Sequence, residues 1–505
     1  MIALVLCVVL LVGAAVGLTI YRLNEIGRVN VPNLTQVKGG VEDILLVGST
    51  SRCAVKPAKS FEVYVHECES GVNGVNSDVI MIIRLNSNDH RASLLSIPRD
   101  TFVPDARING TQHWSNKVDS ALADGPGQLV QAIEEDFGIP INHYVVLNFE
   151  SFADIVNALG GVNMYFPTQV MDMDGLRQMR TGCQHIGGIE ALALVRARHV
   201  YYSYDRKTGT WRGYDGSGDL GRIVRDHLFL RVLASTVKQH GLGNPVTDEQ
   251  LLGAVAPFLT VDTTLGIGEM RSLLSTFSSL GVNSVPLYTA PIIVDTQPYM
   301  YKGLPYGDVV FPSEPQDQQT INAFLGEDPA GLKLHANAIT VSVVDGTGSP
   351  ATTARVASKL RALGYRVVAT GSQTPVGPIS ETTVEYPSAA HLAQAEKVIS
   401  ALSGTVVMAR AATLGHADVT VVTGSDLAVA SAHPARSSNQ AKSGPTKSGP
   451  TTPSTITTTT TTTVTATTAT TATTPNSDGG ALTAPTAATS AIPHYDPRAC
   501  PTNTK

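Results

Sequence analysis

The chain has 505 residues, more than one ordinary domain holds, so we expect two domains with additional segments. Charged residues make up only 15% of the chain and the formal net charge is −6. This balance excludes a polybasic surface and argues against sequence-independent binding of nucleic acid, so a local cluster of arginines would have to meet any anionic partner.

The N-terminal segment is apolar. It begins "MIALVLCVVLLVGAAVGLTI", which carries no charged residue and is long enough to cross a bilayer as a helix. A cleavable signal peptide is the alternative, and it would need a basic start and a small-residue cleavage site. We interpret residues 1–21 as an uncleaved membrane anchor and residues 22–40 as a polar connector, with the remaining chain outside the cytoplasm.

Strand and helix patterns alternate over residues 41–325. "DILLVG", "DVIMIIRLN" and "ASLLSIP" are typical of strands, and the turn-rich link "SNDH" predicts that the last two form an antiparallel hairpin. "GQLVQAIEEDFGI" predicts a helix, "HYVVLNF" a further strand, and "SFADIVNALGG" a helix that ends at two glycines. "GIEALALVRARH" and "DLGRIVRDHLFLRVLASTVKQHGLG" predict two more helices. We expect an α-β-α layered domain of the α/β class with a mixed central sheet.

A second, smaller α/β domain is predicted over residues 337–427. "AITVSVVDGTGSPATTARVASKLRALGYRVVATG" gives a strand, a turn, a helix and a strand in order. "TTVEYP", "HLAQAEKVISAL", "TVVMAR" and "DVTVVTG" then give a strand, a helix and two strands. Residues 428–505 are rich in Thr, Ser and Pro, and such a composition cannot bury a core, so we expect a disordered tail.

Arginines recur at the ends of the predicted apolar elements. For any single arginine, a structural salt bridge such as Arg198 to Asp219 is the simpler interpretation. The whole set has too few acids to neutralise it, so an anion is the expected partner. Guanidinium groups bind phosphate oxygens in pairs and stay charged when desolvated. The arginines are Arg52, Arg99, Arg196, Arg198, Arg222 and Arg225, and the nearby acids are Asp78, Asp100 and Asp219.

The five cysteines fit an exported protein better than a metal site. Cys53 and Cys68 flank a short polar stretch and could close a loop, whereas Cys183 and Cys500 have no obvious partners. The spacings Cys-x-x-Cys and His-x-x-x-His do not occur, so a zinc site is not expected. A serine hydrolase has little support, because the chain has no Gly-x-Ser-x-Gly motif.

Six segments resemble, in order, the successive blocks of the LytR-CpsA-Psr family over about residues 41–240. They are "ILLVGSTSR", "NSDVIMIIRL", "LLSIPRDTFVP", "FADIVNALGGVNMYFP", "HIGGIEALALVRARH" and "SGDLGRIVRDHLFL". The segment 337–427 is similar to the LytR C-terminal domain of many actinobacterial members. The family's type II topology implies a single-pass protein of the cell membrane whose domains face the extracytoplasmic cell-wall side.

The resemblance also implies a phosphotransferase. Its members move a polyprenyl-pyrophosphate-linked glycan, here expected to be arabinogalactan, as its phosphate onto a peptidoglycan hydroxyl, and polyprenyl phosphate is released. Arg99, Asp100 and Asp219 are then the expected catalytic residues, and Asp78 is expected to bind Mg²⁺. The six arginines named above are expected to bind the diphosphate. The assignment is chemically reasonable because phosphoryl transfer depends on positioning and on neutralising charge.

The sequence departs from the family pattern at two places. Thr50 stands where many members carry a metal-binding aspartate, and a threonine hydroxyl is a weaker Mg²⁺ ligand. Asp226 and His227 stand where a pair of glutamines is commoner. The loop between Cys53 and Cys68 resembles a cysteine-bearing version found in some actinobacterial members, which favours a disulfide there.

Two other functions are consistent with the same residues. A pyrophosphatase would use water as the acceptor and the same arginines for the diphosphate. A non-catalytic cell-wall scaffold would bind a partner through the second domain, and Thr50 would mark lost catalysis.

Overall fold

The protein is described from a computed structural model. The structure describes residues 26–37, 39–49, 75–104, 116–172, 178–239, 256–266, 269–270, 285–294, 299–301, 304–326, 334–372, 382–425, 427–430 and 495–500. The anchor predicted at residues 1–21 lies outside these ranges. Within them, no helix has the length and apolar character that a membrane crossing requires.

The elements alternate as the sequence predicted. The strands, numbered along the chain, are β1 (Gly27–Val29), β2 (Val41–Ser49), β3 (Ser77–Asn86), β4 (Arg91–Ser96), β5 (His143–Asn148), β6 (Val162–Phe166), β7 (Val170–Asp172), β8 (Gly182–Ile186), β9 (Val200–Asp205), β10 (Thr210–Tyr214), β11 (Thr260–Asp262), β12 (Leu287–Thr289), β13 (Ile292–Val294), β14 (Tyr299–Tyr301), β15 (Leu304–Gly307), β16 (Val310–Glu314), β17 (Thr340–Asp345), β18 (Arg366–Ser372), β19 (Thr382–Tyr386), β20 (Leu402–Arg410), β21 (Val419–Thr423), β22 (Ala428–Val429) and β23 (Arg498–Ala499). The α-helices are α1 (Pro126–Phe137), α2 (Phe149–Ala158), α3 (Gly188–Arg196), α4 (Asp219–Gln239), α5 (Gln316–Leu325), α6 (Pro350–Ala362) and α7 (Leu392–Ile399).

A mixed sheet with the order β1-β11-β5-β2-β3-β4-β12 forms the centre of the first domain. β2 pairs with β5 in parallel and with β3 in antiparallel orientation. The predicted hairpin of β3 and β4 is confirmed, with Ile82 opposite Leu95. The α/β fold with a mixed central sheet is therefore confirmed.

Both faces of this sheet are covered, because side chains alternate along each strand. Leu45 and Val47 of β2 point into a core that α1 and α5 cover, where Leu129 and Phe324 are also buried. The alternate residue, Leu46, faces the opposite side and lines a cavity beside α2, α3 and α4. Helix α2 ends where predicted, because Gly160 and Gly161 adopt positive φ angles of 77° and 82°.

The C-terminal domain has the predicted order of elements and its own core, in which Val341, Val384 and Val421 are buried. Its sheet runs β13-β16-β20-β19-β21-β17-β18. The first two of these strands precede residue 325, so the sheet crosses the boundary predicted from sequence. β16 joins β20 in antiparallel orientation, with Ser313 opposite Thr405.

The expectation of a disordered tail to residue 505 is wrong for residues 495–500. β23 pairs with β6 in antiparallel orientation, and Cys500 forms a disulfide with Cys183, whose Cα lies 5.7 Å away. Tyr495 stacks on Tyr202 with ring centroids 4.4 Å apart. Residues 495–500 dock on the first domain through an aromatic ring and a thiol, which the composition of the tail as a whole did not indicate.

Candidate active site

Arg99 and Asp78 meet at one edge of the central sheet. β3 begins at Ser77 and its antiparallel neighbour β4 ends at Ser96, so the start of one strand and the end of the other lie at the same edge. Arg99 Nη1 donates a short hydrogen bond to Asp78 Oδ1, and Arg99 Nε lies 3.5 Å from Asp100 Oδ2. Asp100 also accepts a hydrogen bond of 2.9 Å from Lys117 Nζ.

Arg222 connects the first turn of α4 to the same edge. Its Nη2 donates to the backbone carbonyl of Asp78 at 2.6 Å and lies 2.6 Å from Asp219 Oδ1. Within the described part of the chain, neither carboxylate oxygen of Asp219 accepts a well-formed hydrogen bond. Asp219 is therefore a nearly buried carboxylate with hydrogen-bonding capacity to spare.

Arg196 and Arg198 follow one another at the end of α3. The guanidinium carbon of Arg196 lies 4.1 Å from the centroid of the Phe149 ring, which is a cation–π contact. The helix ends at Arg196, so Arg198 lies beyond it rather than in its last turn as predicted. Ala197 ends the helix because its backbone is extended. Arg198 is half-buried and hydrogen-bonds to no residue that the structure describes, but its charge acts on both Asp100 and Asp219.

Arg225 lies in a different network from these arginines. Its Nη2 donates to the carbonyl of Ala197 at 2.6 Å, and its Nη1 lies 3.4 Å from Asp215 and 3.6 Å from Asp496. The side chain is 1% exposed. The buried charge of Arg225 is thus matched within the protein, so we interpret Arg225 as structural.

An apolar cavity with a volume of about 100 Å³ opens beside the cluster. Its walls come from β2, β3, β5, α2, α3 and α4, with Asp78, Arg196, Arg222 and Asp226 among the lining residues. The apolar lining includes Leu46, Met81, Leu147, Phe152, Leu192 and Phe229. A ligand with a charged group and an apolar chain would bind its charged group beside the arginines and its apolar chain in the cavity.

Burial and opposite charges together set the pKa values of the cluster. Burial alone lowers the pKa of the Arg99 guanidinium, but four carboxylates, from Asp78, Asp100, Asp119 and Asp219, hold it above its ordinary value. Burial alone raises the pKa of Asp100, but Arg99 and Lys117 outweigh it and leave the pKa below its ordinary value. Burial raises the pKa of Asp219, and Arg222 only partly offsets this effect.

The family model of the LytR-CpsA-Psr family matches residues 28–304, which is more than half of the chain. The chain belongs to the LytR-CpsA-Psr family. A second family model, described as LytR cell envelope-related transcriptional attenuator, matches residues 338–427.

The chain is similar to named cell-wall proteins and to solved structures. The cell wall biosynthesis protein LcpA of Corynebacterium glutamicum is 25% identical over 66% of this chain and 67% of its own length. The polyisoprenyl-teichoic acid–peptidoglycan teichoic acid transferase TagU of Bacillus anthracis is 33% identical over 34% of this chain, and the match spans about half (49%) of TagU. A solved structure, the LytR-Csp2A-Psr enzyme from Actinomyces oris, shares 21% identity, covers 60% of this chain and 97% of its own, and has a TM-score of 0.45.

Two acids that the sequence did not single out as site residues of this LytR-CpsA-Psr protein lie in its cluster. Asp119, in the 3-10 helix Val118–Asp124, has Oδ2 4.0 Å from Arg99 Nη1, and burial raises its pKa to about 7. Asp226 lines the cavity, and burial raises its pKa to about 8. Asp119 follows Lys117 in an unremarkable "NKVDSAL", so only the folded chain reveals its proximity to Arg99. Asp226 was noted as a departure from the family pattern, without a role.

Four residues of the prediction lie outside the described residues: Thr50, Arg52, Cys53 and Cys68. Their expected roles in metal binding, diphosphate binding and disulfide formation remain predictions. The cluster that the structure brings together contains Asp78, Arg99, Asp100, Arg196, Arg198, Asp219 and Arg222.

Proposed function

We propose that the protein transfers a glycopolymer, as its phosphate, from a polyprenyl pyrophosphate to a hydroxyl of peptidoglycan. One observation carries this proposal: guanidinium and carboxylate groups line an apolar cavity, so charged and hydrocarbon-binding surfaces adjoin. The cavity has a volume of about 100 Å³ and its lining surface is almost entirely apolar, as a site for part of a hydrocarbon chain would require. Membership of the family and the name of the relative TagU support the same reaction class.

The diphosphate would bind beside Arg196, Arg198 and Arg222, and the polyprenyl chain would enter the cavity. Arg198 suits this role best, because its guanidinium has no hydrogen bond to the described residues and remains available to a ligand. Arg99 is held by Asp78 and Asp100, and Arg222 by the Asp78 carbonyl, so their forks are fixed before the ligand arrives. Fixed donors lower the cost of organising charge in the transition state.

In the reaction, the acceptor hydroxyl oxygen would form a bond to the phosphorus next to the glycan. The bond from that phosphorus to the bridging oxygen would break, and polyprenyl phosphate would leave with the electron pair. Asp219 is the better acceptor for the hydroxyl proton, because burial raises the pKa of its carboxyl group and its oxygens have no well-formed hydrogen bond within the described part of the chain. Asp100 would instead orient Arg99 and Lys117.

Mg²⁺ is the proposed cofactor, and the carboxylates near Arg99 fit it. Asp78 and Asp119 both face Arg99 Nη1, and hard oxygen ligands of this kind bind Mg²⁺ together with substrate phosphates. Burial raises the pKa of Asp119 to about 7, so a cation beside it would favour its charged form. When bound, the ion would neutralise charge on the diphosphate.

The proposal includes the location of the protein and the identity of the glycan. Residues 1–21 would anchor the protein in the cell membrane with its domains on the cell-wall side, which is where a membrane-bound donor and peptidoglycan meet. The glycan would be arabinogalactan, a choice that rests on composition typical of a GC-rich actinobacterium. Parallel assays with arabinogalactan-linked and teichoic acid-linked donors test that choice.

The transfer is tested with the full-length protein, a polyprenyl-pyrophosphate-linked glycan, Mg²⁺ and peptidoglycan fragments. Mass spectrometry reads both products, polyprenyl phosphate and glycan-bearing peptidoglycan. We expect Arg198→Ala to lower the rate of transfer about 100-fold or more, which is typical when one charge-stabilising donor is removed. Arg212→Ala, which removes an arginine whose side chain is 70% exposed, is the matched control and should keep the wild-type rate.

The alternatives give different results in the same assay. If polyprenyl phosphate is released and no glycan is joined to peptidoglycan, the protein is a pyrophosphatase and not a transferase. If the donor is not consumed at all, and cells carrying Arg198→Ala keep the wild-type wall phenotype, the non-catalytic scaffold would be the better description.

A further inference from the structure

A second cluster of ligand-type side chains lies away from the candidate active site. Glu42, His143 and Glu269 each direct one nitrogen or oxygen atom into a common space, and these atoms all lie within 4.8 Å of one another. In the part of the chain that the structure describes, no other three His, Cys, Asp or Glu side chains come this close. No local sequence pattern indicates this cluster, because its members are 100 or more residues apart.

The cluster has unmet polar atoms in a buried place. Glu42 and His143 are 8% and 3% exposed. Within the described residues, Glu42 Oε2 and His143 Nε2 have no hydrogen-bond partner. Buried polar atoms are almost always satisfied, so two unpartnered atoms in one cluster indicate a missing partner.

The second nitrogen of His143 is already fixed. Its Nδ1 lies 3.2 Å from Asp262 Oδ2, and Asp262 is itself held by the backbone N–H groups of Tyr144, Thr264 and Leu265. With this fully buried, firmly held carboxylate at Nδ1, a neutral His143 would carry its proton on Nδ1 and offer the lone pair of Nε2 to a metal ion. Carboxylate–histidine pairs of this type commonly support a metal ligand.

The distance between two of the side chains fits a small divalent cation. His143 Nε2 lies 3.4 Å from Glu269 Oε1, which is long for a hydrogen bond. Two ligands that each lie about 2.0–2.1 Å from a tetrahedral ion stand about 3.3–3.4 Å apart. The apolar cluster of Ile26, Val261, Leu265 and Met270 packs nearby and would exclude bulk water.

We propose that Glu42, His143 and Glu269 bind a divalent transition metal, with Zn²⁺ as the best match. Imidazole with two carboxylates favours Zn²⁺ over Mg²⁺, because Mg²⁺ prefers oxygen ligands alone. The ion connects three segments that are distant in the chain: the start of β2, the start of β5 and the segment after β11.

The position of the site makes its role structural. Glu42 and His143 stand at the starts of the parallel strands β2 and β5, whereas Ser49 and Asn148, at their ends, lie opposite each other at the edge nearer the cavity. At about 3.3 Å per residue, the seven residues from Glu42 to Ser49 span roughly 23 Å. The metal therefore stabilises the fold of the sheet edge and takes no part in phosphoryl transfer.

The test uses metal-free full-length protein and Zn²⁺ titrated in the presence of excess Mg²⁺. We expect about one tight Zn²⁺ site and a higher melting temperature with Zn²⁺ than with Mg²⁺ alone. Glu269→Gln should weaken Zn²⁺ binding at least tenfold, since loss of even an outer partner usually costs about 10–100-fold. Because the Glu269 side chain is 33% exposed, this variant should fold. Glu190→Gln, an exposed glutamate of α3, is the matched control and should bind Zn²⁺ like the wild type.

The outcomes separate this site from the candidate active site. Asp78→Asn should keep tight Zn²⁺ binding even if it abolishes transfer. Equal Zn²⁺ affinity for the wild type and Glu269→Gln would overturn the proposal, and so would a wild type that binds no Zn²⁺. In either case His143 is better described as a protonated side chain balanced by Glu42, Asp262 and Glu269.

Discussion

Arg222 Nη2 donates a 2.6 Å hydrogen bond to the backbone carbonyl of Asp78, which joins the first turn of α4 to the start of β3. The same nitrogen lies 2.6 Å from Asp219 Oδ1. One guanidinium thus holds both the strand that presents Asp78 and the carboxylate proposed to accept the hydroxyl proton. A substitution of Arg222 that keeps the positive charge should therefore lower the rate of transfer more than it lowers the stability of the fold.

Arg222→Lys tests this directly. A lysine keeps the charge beside Asp219 but cannot hold the carbonyl, the carboxylate and a phosphate oxygen with one planar fork. We expect transfer to fall about 100-fold while the melting temperature stays close to that of the wild type. Arg222→Ala should instead lose stability, by about 3–5 kcal/mol, because the buried Asp219 carboxylate is left without its partner. Wild-type transfer by Arg222→Lys would contradict the role of the fork.

The cavity predicts a dependence on the length of the hydrocarbon chain. Leu147→Trp places a larger side chain on a half-buried position of the lining. Each methylene excluded from the cavity costs about 0.8 kcal/mol, so exclusion of two or more should lower the use of long-chain donors tenfold or more. A donor with a short prenyl chain should be used equally by both proteins. Val368→Trp, at a position 49% exposed in the C-terminal domain, is the control. An equal loss of activity with both donors would show that the substitution does not act through binding of the hydrocarbon chain.

Asp226 predicts a loss of stability with rising pH. Burial raises its pKa to about 8, from an ordinary value of 3.8, and Arg222 and Arg225 only partly oppose this. The folded state then binds this proton more tightly than the unfolded state does. The resulting contribution of Asp226 to the free energy of unfolding is fully present below about pH 4 and is lost as the pH rises towards 8. Since one unit of pKa difference is worth about 1.4 kcal/mol, the loss is on the order of 5 kcal/mol.

Asp226→Asn should remove that part of the pH dependence. Asparagine resembles the protonated acid, so the variant should match the wild type near pH 4 and exceed its stability at pH 8. Denaturant unfolding at several pH values measures the difference. Asp89→Asn, which changes an exposed carboxylate, should follow the wild-type profile. If the stability of Asp226→Asn varies with pH in parallel with that of the wild type, Asp226 is charged in the folded state.

The contact between α1 and the C-terminal domain predicts a local effect. Tyr386 is buried, and its hydroxyl donates to the carbonyl of Glu135 at 2.6 Å. Tyr386→Phe should cost about 1 kcal/mol and raise hydrogen exchange near the end of α1, because that carbonyl loses its donor. Tyr365→Phe is a matched control, since the Tyr365 hydroxyl donates at 2.7 Å to the carbonyl of Lys397 within the C-terminal domain. It should leave exchange in α1 unchanged. Similar exchange changes in both variants would argue against a specific contact.

Short-range patterns made much of the fold predictable. The hairpin of β3 and β4 followed from two apolar runs and a four-residue turn, and it brought Asp78 to Arg99 because both lie at one edge of the sheet. Local spacing at the start of α4 likewise placed Asp219 beside Arg222. In each case the partners are set by the geometry of one or two adjacent elements.

Long-range pairing could not be predicted in the same way. Arg225 has the helical spacing of a cluster member, but Asp496 lies 3.6 Å from it, at the far end of a low-complexity segment. Cys183 and Cys500 are separated by 317 residues, and no local pattern indicates that they pair. Glu42 and His143, the proposed metal ligands, come together only because β2 and β5 are neighbours in the sheet. These contacts depend on the order of strands, which the sequence of a single chain does not reveal.

A crystal structure of the protein with a prenyl diphosphate tests the proposed binding mode most directly. We expect hydrocarbon density between Leu46, Leu147 and Phe229, with the diphosphate in contact with Arg198 and Arg222. A ligand bound elsewhere, or a diphosphate that contacts neither arginine, would contradict that binding mode.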